Sequence, residues 1–352
     1  MKQLLFIACL WLIGCVAAPE PPDNNSVPLL PNGTFVLCEG LWRQDNSVLS
    51  YIQPTGTVVR DAVSNAAANA RLGDTGADLV SLDSTLLIAV STSQTLTEVD
   101  PITGAIIREQ RTTGGREPYR IAVSNGSVFC TNLNDDSISE FDAATLTPIV
   151  ERVPVGPAPE GIAVASGKVF VAISGLGDLR KDEEGAGTIQ VLNRADLSVL
   201  DVIPDLPNVG DVLAHEDYVY ATYRNLVSLP DSLGGVVQID ATTNEILWQV
   251  RLKSPTRVVV NEQTDNVFVL HEEGIEKITP DGTAQRLVSH LSANGNDVWY
   301  SLGIDPVEGY LLIGNARSFV IDGEVLRYTF DGAFVERYTV GLNPTAFAVQ
   351  SR

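Results

Sequence analysis

The chain has 352 residues, with 44 Asp and Glu against 23 Lys and Arg, for a net charge of −21. That balance excludes nonspecific binding to nucleic acid or anionic lipid as its work. About 320 residues follow the N-terminal segment, too many for one small core unless the architecture repeats.

The chain opens Met1-Lys2-Gln3, runs apolar from Leu4 to Ile13, and exits through Gly14-Cys15. One positive charge, a short apolar run and a small-residue exit describe a secretory signal too short to span a bilayer. Leu12-Ile13-Gly14-Cys15 resembles the bacterial lipobox, which implies cleavage before Cys15 and a lipid on it. An ordinary signal cut after Ala17 or Ala18 is the alternative. By the same resemblance, Val16 in place of Asp allows the outer membrane and leaves cell surface or periplasmic face open. From Val16 to Gly33 the chain is Pro, Asp, Asn and Ser without periodicity, the composition of an extended linker. The expected divisions are a signal peptide at 1–14, a lipidated flexible tether at 15–33 and a folded domain at 34–352.

Past the tether, short apolar runs alternate with turn chemistry, and nothing repeats at helical spacing. The turns read IQPTG from Ile52, VDPITG from Val99, FDAAT from Phe141, LNRAD from Leu192, IDATT from Ile239, ITPDG from Ile278 and YTFDG from Tyr328. An apolar strand opens each unit at Leu79, Ile121, Ile162, Val212, Val258, Leu302 and Phe347. Pro118, Pro159, Pro255 and Pro344 precede it in four units, and Trp299 replaces the proline in another. Four strands in each unit of about 40 to 50 residues predict an all-β, seven-bladed β-propeller with four-stranded blades. A solenoid would need caps and a shorter, stricter period.

The two ends complement each other. TFVLCEG from Thr34, SVLSYI from Ser47 and TVVRDAV from Thr57 read as three later strands without an opening one. PTAFAVQS from Pro344 is an opening strand without followers. Phe347–Gln350 is therefore expected to pair with Phe35–Glu39, closing the ring and removing exposed sheet edges. Cys38 and Cys130 fall in apolar strands two blades apart, so two buried free thiols are expected rather than a disulfide.

PEGIAVASGKVFVAIS, GTIQVLNRADLSVLDVIP and GGVVQIDATTNEILWQV resemble the repeats of YVTN or YncE-type propellers. The start FVLCEGLWRQDNSVLSYIQPTGTVV resembles the version found in Bacteroidetes-type lipoproteins. The resemblance covers residues 34 to 350 and rests on structural turns and strands. It implies an outer-membrane lipoprotein; some relatives capture cobalamin at the surface and pass it to a TonB-dependent transporter, and many have no assigned ligand.

In such a blade the loop into the first strand and the loop after the second share one face around the axial channel. Just before the opening strands stand Asp78, Arg120, Gly161, Asp211, Arg257, Ser301 and Ala346. At the ends of the second strands stand Glu39, Ser91, Leu133, Ser174, Arg224, Glu272 and Asn315, with Asn132, Tyr223 and His271 beside them. Trp42, Arg43, Asn134 and Arg317 follow in the same loops, while Tyr119, Glu160, Trp299 and Tyr300 approach from the entering loops. Aromatics mixed with Arg, Asn and Glu on a concave face suit a polar ligand. A solvated, salt-bridged rim is the plainer alternative. The acidic, Gly-rich insertion Gly175–Gly187 reads as a flexible loop on that face.

No HExxH, Cys/His cluster or GxSxG elbow occurs, so no catalytic residue and no cofactor is expected. Lactonase-like propellers hold Ca²⁺ with Glu, Asn and Asp on the channel face, and Glu39, Asn132, Asp78 and Asp211 offer the same donors. The leading expectation is a monomeric, noncatalytic, outer-membrane-anchored protein that captures a corrinoid, iron chelate or glycan for a TonB-dependent transporter. An envelope interaction scaffold and a calcium-dependent lactonase or lyase are the alternatives.

Overall fold

The computed structural model describes residues 26–229, 233–290 and 297–349. The signal peptide, Cys15 and Gln350 lie outside them. Seven four-stranded antiparallel sheets form a ring, a seven-bladed β-propeller. We number the blades I to VII, blade I being the one that holds both ends of the described chain. The innermost strands of blades II to VII are Gly76–Leu82, Pro118–Ser124, Pro159–Ala165, Val209–His215, Arg257–Asn261 and Trp299–Asp305. That of blade I is Pro344–Val349.

Each opening strand lies where the apolar pattern predicts it; six begin three residues earlier and that of blade VI one residue earlier. The early residues sit before a register shift, as between Pro159 and Ile162 or Val209 and Val212. The channel-facing residues expected just before the strands therefore sit within them. Second strands such as Thr85–Val90 are almost wholly buried, whereas the outermost Ile106–Arg111 alternates between half-buried and exposed. Stacked sheets bury both faces of their central strands and leave only the rim to water. The outer turns carry the predicted side chains: Asp100, Asn193 and Asp240 each accept a backbone N–H two residues on, at 2.8 Å.

Ring closure follows the expected pairing. Thr34 lies opposite Val349, Phe35 opposite Ala348, Val36 opposite Phe347 and Leu37 opposite Ala346. On the other side the Phe347 ring packs on Gly303 of blade VII so closely that a Cβ there would stand 2.6 Å away.

Two expectations are corrected. TVVRDAV is a strand only at Val58–Val59. Asp61 then caps a short helix, Ala62–Ala66, by accepting from Val63 N at 3.1 Å, and Val63 joins the core between blades I and II. Residues 26–33, read as the end of a flexible tether, are docked. The Asn65 amide accepts from Val27 N and donates to Val27 O, both at 2.9 Å. The Gln53 amide accepts from Leu30 N (2.9 Å) and donates to Pro28 O (3.1 Å). Leu29 is buried, and the Tyr51 hydroxyl holds both Leu30 O and Gly33 N.

The connections between blades and the loops after second strands share one face, the top. The hairpins after first and third strands form the bottom, and the described chain enters and leaves there.

Candidate functional site

The innermost strands line an axial cavity of about 300 Å³. Its polar walls are Asp78, Arg120, Asp211, Arg257 and Thr345, from blades II, III, V, VI and I. The same two-blade device appears twice. Asp78 Oδ2 accepts from Ile121 N of blade III at 2.8 Å, and Asp211 Oδ2 accepts from Val258 N of blade VI at 2.9 Å. Each aspartate thus pins the next blade while presenting charge to the channel. Asp followed one blade later by Arg at the same offset is the sequence signal of this staple, which residue-by-residue reading passed over.

The two arginines differ. Arg120 is buried: its Nη1 donates to Ala77 O at 2.6 Å and stands 3.6 Å from Asp78 Oδ1, and its guanidinium lies 4.8 Å from the Tyr119 ring centroid. Arg257 is half-buried, and its one described side-chain hydrogen bond runs to Thr256 O at 3.2 Å. Among the described residues no carboxylate lies in ion-pair contact with it.

Above this ring, Tyr300 OH donates to Glu39 Oε2 at 2.6 Å. Burial raises the Glu39 pKa, against the pull of the Tyr300 hydroxyl, Arg120 and Arg257. Burial also raises that of Asp78, against Arg120 and two backbone N–H groups. Burial opposes the Arg120 charge, but Tyr119, Asp78 and Asp211 outweigh it and the guanidinium stays charged. Burial and Glu39 raise the Tyr300 phenol. The result is a site of mixed charge in which burial and neighbouring charges set the state of Glu39, Asp78, Arg120 and Tyr300.

Other predicted residues are placed elsewhere. Glu160 is bound by Arg224 Nη2 at 2.8 and 3.1 Å, and Arg224 also holds Asn208 Oδ1 at 3.0 Å, so this pair bridges blades IV and V. Trp42 is 66% exposed beneath the Arg43 guanidinium. Arg317 sits half-buried in the blade VII loop with φ near 54°.

Asn132, Tyr223 and Asn315 do not reach the channel mouth and are corrected. Asn132 Nδ2 donates to Ser137 and Ser139, the Tyr223 hydroxyl accepts from Gln249, and Asn315 bonds Asp297 and Glu324. All three are fully buried. His271, expected near the channel, lies instead between blades VI and VII with Trp299. Asn132, Tyr223 and Asn315 are each held by polar partners of their own blade's outer strands, which turns them away from the channel.

The four calcium donors do not converge, because Asn132 is committed inside blade III. No group of three or more His, Cys, Asp or Glu among the described residues could hold a metal. Cys38 and Cys130 are free and buried, as expected, and burial pushes both thiols to about 12.

The Gly175–Gly187 insertion is pinned rather than loose. Arg180 forks onto Asp136 of blade III at 2.8 and 2.7 Å. Asp178 accepts from Val227 N and Ser228 N of blade V at 2.6 and 3.1 Å. Leu179 on the strap is 76% exposed, and Val227, whose backbone the strap holds, is 86% exposed; Leu229 and Leu233 of the same blade V loop are exposed too, an apolar crest on the top face. A second crest, Phe319, Val320 and Ile321, stands on the loop of blade VII.

No protein-family model and no curated protein matches this chain. Solved structures share the fold. A quinonprotein alcohol dehydrogenase-like protein from Bacteroides thetaiotaomicron aligns over 91% of this chain and 79% of its own, with TM-score 0.70 and 14% identity. Hydrazine synthase from Kuenenia stuttgartiensis aligns over 77% and 88%, with TM-score 0.62 and 18% identity. BamB from Moraxella catarrhalis aligns over 92% and 88%, with TM-score 0.53 and 16% identity. At these identities the likeness is one of fold, and the names span enzymes and other proteins.

Proposed function

We propose that the protein is a noncatalytic binding protein that captures a small anionic or zwitterionic ligand at the top of the axial channel. In this reading a lipid on Cys15 anchors it to the outer membrane, and the ligand is presented to a TonB-dependent transporter. The observation that carries the binding reading is Arg257, a half-buried cation on the wall of a polar cavity without a carboxylate in ion-pair contact among the described residues. A partly desolvated charge gains from a partner, and a ligand carboxylate or phosphate supplies one in the bidentate geometry that guanidinium favours. Glu39 and Asp211 stand ready for the positive end of a zwitterion. The cavity volume suits a small molecule, so a corrinoid or bulky iron chelate would rest on the rim instead.

Thermal-shift and calorimetric screening of amino acids, small carboxylates, iron chelates, corrinoids and glycans tests this reading. A binding class should appear whose affinity drops at least tenfold in Arg257→Ala. If no class raises the melting temperature and none is retained in native mass spectrometry, the reading fails.

The two apolar crests support a second reading, an envelope scaffold that docks a partner on its top face. Capture of a transporter that ignores every ligand and is lost in Val227→Asp would favour it.

A further inference from the structure

We infer that the axial channel takes an α-amino acid with an apolar side chain, its charged end at the top and its side chain directed down the channel. The inference rests on the channel binding proposed above and narrows the ligand to one chemical class.

The Asp–Arg device occurs twice in the ring, and the two copies differ. In blades II and III it is closed. Arg120 Nη1 donates to Ala77 O at 2.6 Å, and the guanidinium lies over the Tyr119 ring. Asp78 Oδ1 accepts from Leu79 N at 3.0 Å and stands 3.6 Å from Arg120. In blades V and VI the device is open. Thr256 stands where blade III has Tyr119, so no ring covers Arg257. Among the described residues Arg257 has no carboxylate in ion-pair contact, and Asp211 Oδ1 accepts no hydrogen bond. Asp211 Oδ2 bonds Val258 N, beside Arg257, which keeps the two charges on neighbouring strands of the wall. A carboxylate and an ammonium on one carbon answer this pair, the first on Arg257 and the second on Asp211. Glu39 is the poorer partner for the ammonium, because its Oε2 already accepts from Tyr300.

The rest of the cavity selects the side chain. Two residues further down the strands that carry Asp78, Asp211, Arg257 and Thr345, the same cavity is lined by Val80, Leu213, Val259 and Phe347. These four are half-buried, whereas the intervening Leu79, Val212 and Val258 are buried. The channel is thus a polar collar over an apolar well. A ligand held at the collar in a cavity of about 300 Å³ sends its other end into the well. A charged side chain would lie there without a partner, at a cost that an aliphatic one avoids.

The test is isothermal titration calorimetry on the full folded domain with leucine, glycine, glutamate, lysine, leucinamide and isocaproate. Leucine should bind at least about tenfold more tightly than glycine, glutamate or lysine. Leucinamide, which lacks the carboxylate, and isocaproate, which lacks the ammonium, should each lose at least about tenfold. Asp211→Asn keeps an acceptor for Val258 N and removes the charge, so it should weaken leucine and leave isocaproate unchanged. Val259→Thr, close to valine in volume, should weaken leucine and leave glycine unchanged. Glycine or glutamate bound as tightly as leucine, or leucine undiminished in Asp211→Asn, would overturn the inference while the channel reading stands. Binding of other anions through Arg257 with no binding of leucine would overturn it in the same way. The channel reading itself fails only when no ligand class binds, so the two failures are distinguishable.

Discussion

Ending the chain at Asn343 removes the innermost strand of blade I and tests the closure directly. Thr34–Cys38, fully buried, would lose a partner at every one of its five positions. About five ladder hydrogen bonds at about 1 kcal/mol each are lost. Removing Phe347 from its seat on Gly303 adds about 3 kcal/mol. The sum of about 8 kcal/mol is comparable with the whole stability of an ordinary domain, about 5–15 kcal/mol. The truncated protein should therefore unfold, or aggregate through the exposed edge of Thr34–Cys38. Scanning calorimetry with light scattering reads both outcomes. A peptide of residues 341–349 added in trans should restore the melt by strand addition. A truncated protein that stays monomeric with an unchanged melting temperature would refute the reasoning.

Three further outcomes follow from named contacts. A Cβ at Gly161 would press on Gly210 O and stand 2.7 Å from Val212 N, so Gly161→Ala should force blades IV and V apart. A cost of about 1–3 kcal/mol, read by urea denaturation, is expected. Arg180→Ala should free the 175–187 strap, raising the rate of limited proteolysis there while the global melting temperature moves little. The folded pKa of Glu39 lies above the free value of 4.5, so its contribution to stability is present below that pH and is lost as pH rises through the folded value. Glu39→Gln should therefore match wild type in urea midpoint at pH 4 and exceed it at pH 7; the reverse order would contradict the burial argument.

The ring was legible because its signals are local. Turn residues after each third strand, led by Asp or Asn in four of the seven, and apolar opening strands recur whatever the loops contain, and the unmatched ends at Thr34 and Pro344 imply each other. The site was legible only in part. Asp78, Arg120, Asp211 and Arg257 fall at one offset of the repeat, so alignment of the blades places them on one wall. Asn132, Tyr223 and Asn315 were misplaced because the partners that hold them lie on their own blade's outer strands, and a polar side chain at a strand end looks alike on either side. The strap at Gly175–Gly187 was read as loose because its anchors, Asp136 and the backbone of Val227, are distant in sequence. The helix at Ala62–Ala66 has only one turn, too short for any periodicity to show.

The docked lead-in gives the fold a mechanical character. Tension on the chain upstream of residue 26 would reach the amide of Asn65 first, then Gln53, then the Tyr51 hydroxyl, each gripping the backbone a few residues further on. These bonds lie in series and would peel one at a time. The force then meets Thr34–Cys38, which is laddered on both sides, to Val48–Ile52 and to Pro344–Val349. There the bonds share the load in shear, so the ring should withstand a pull that has already stripped its lead-in.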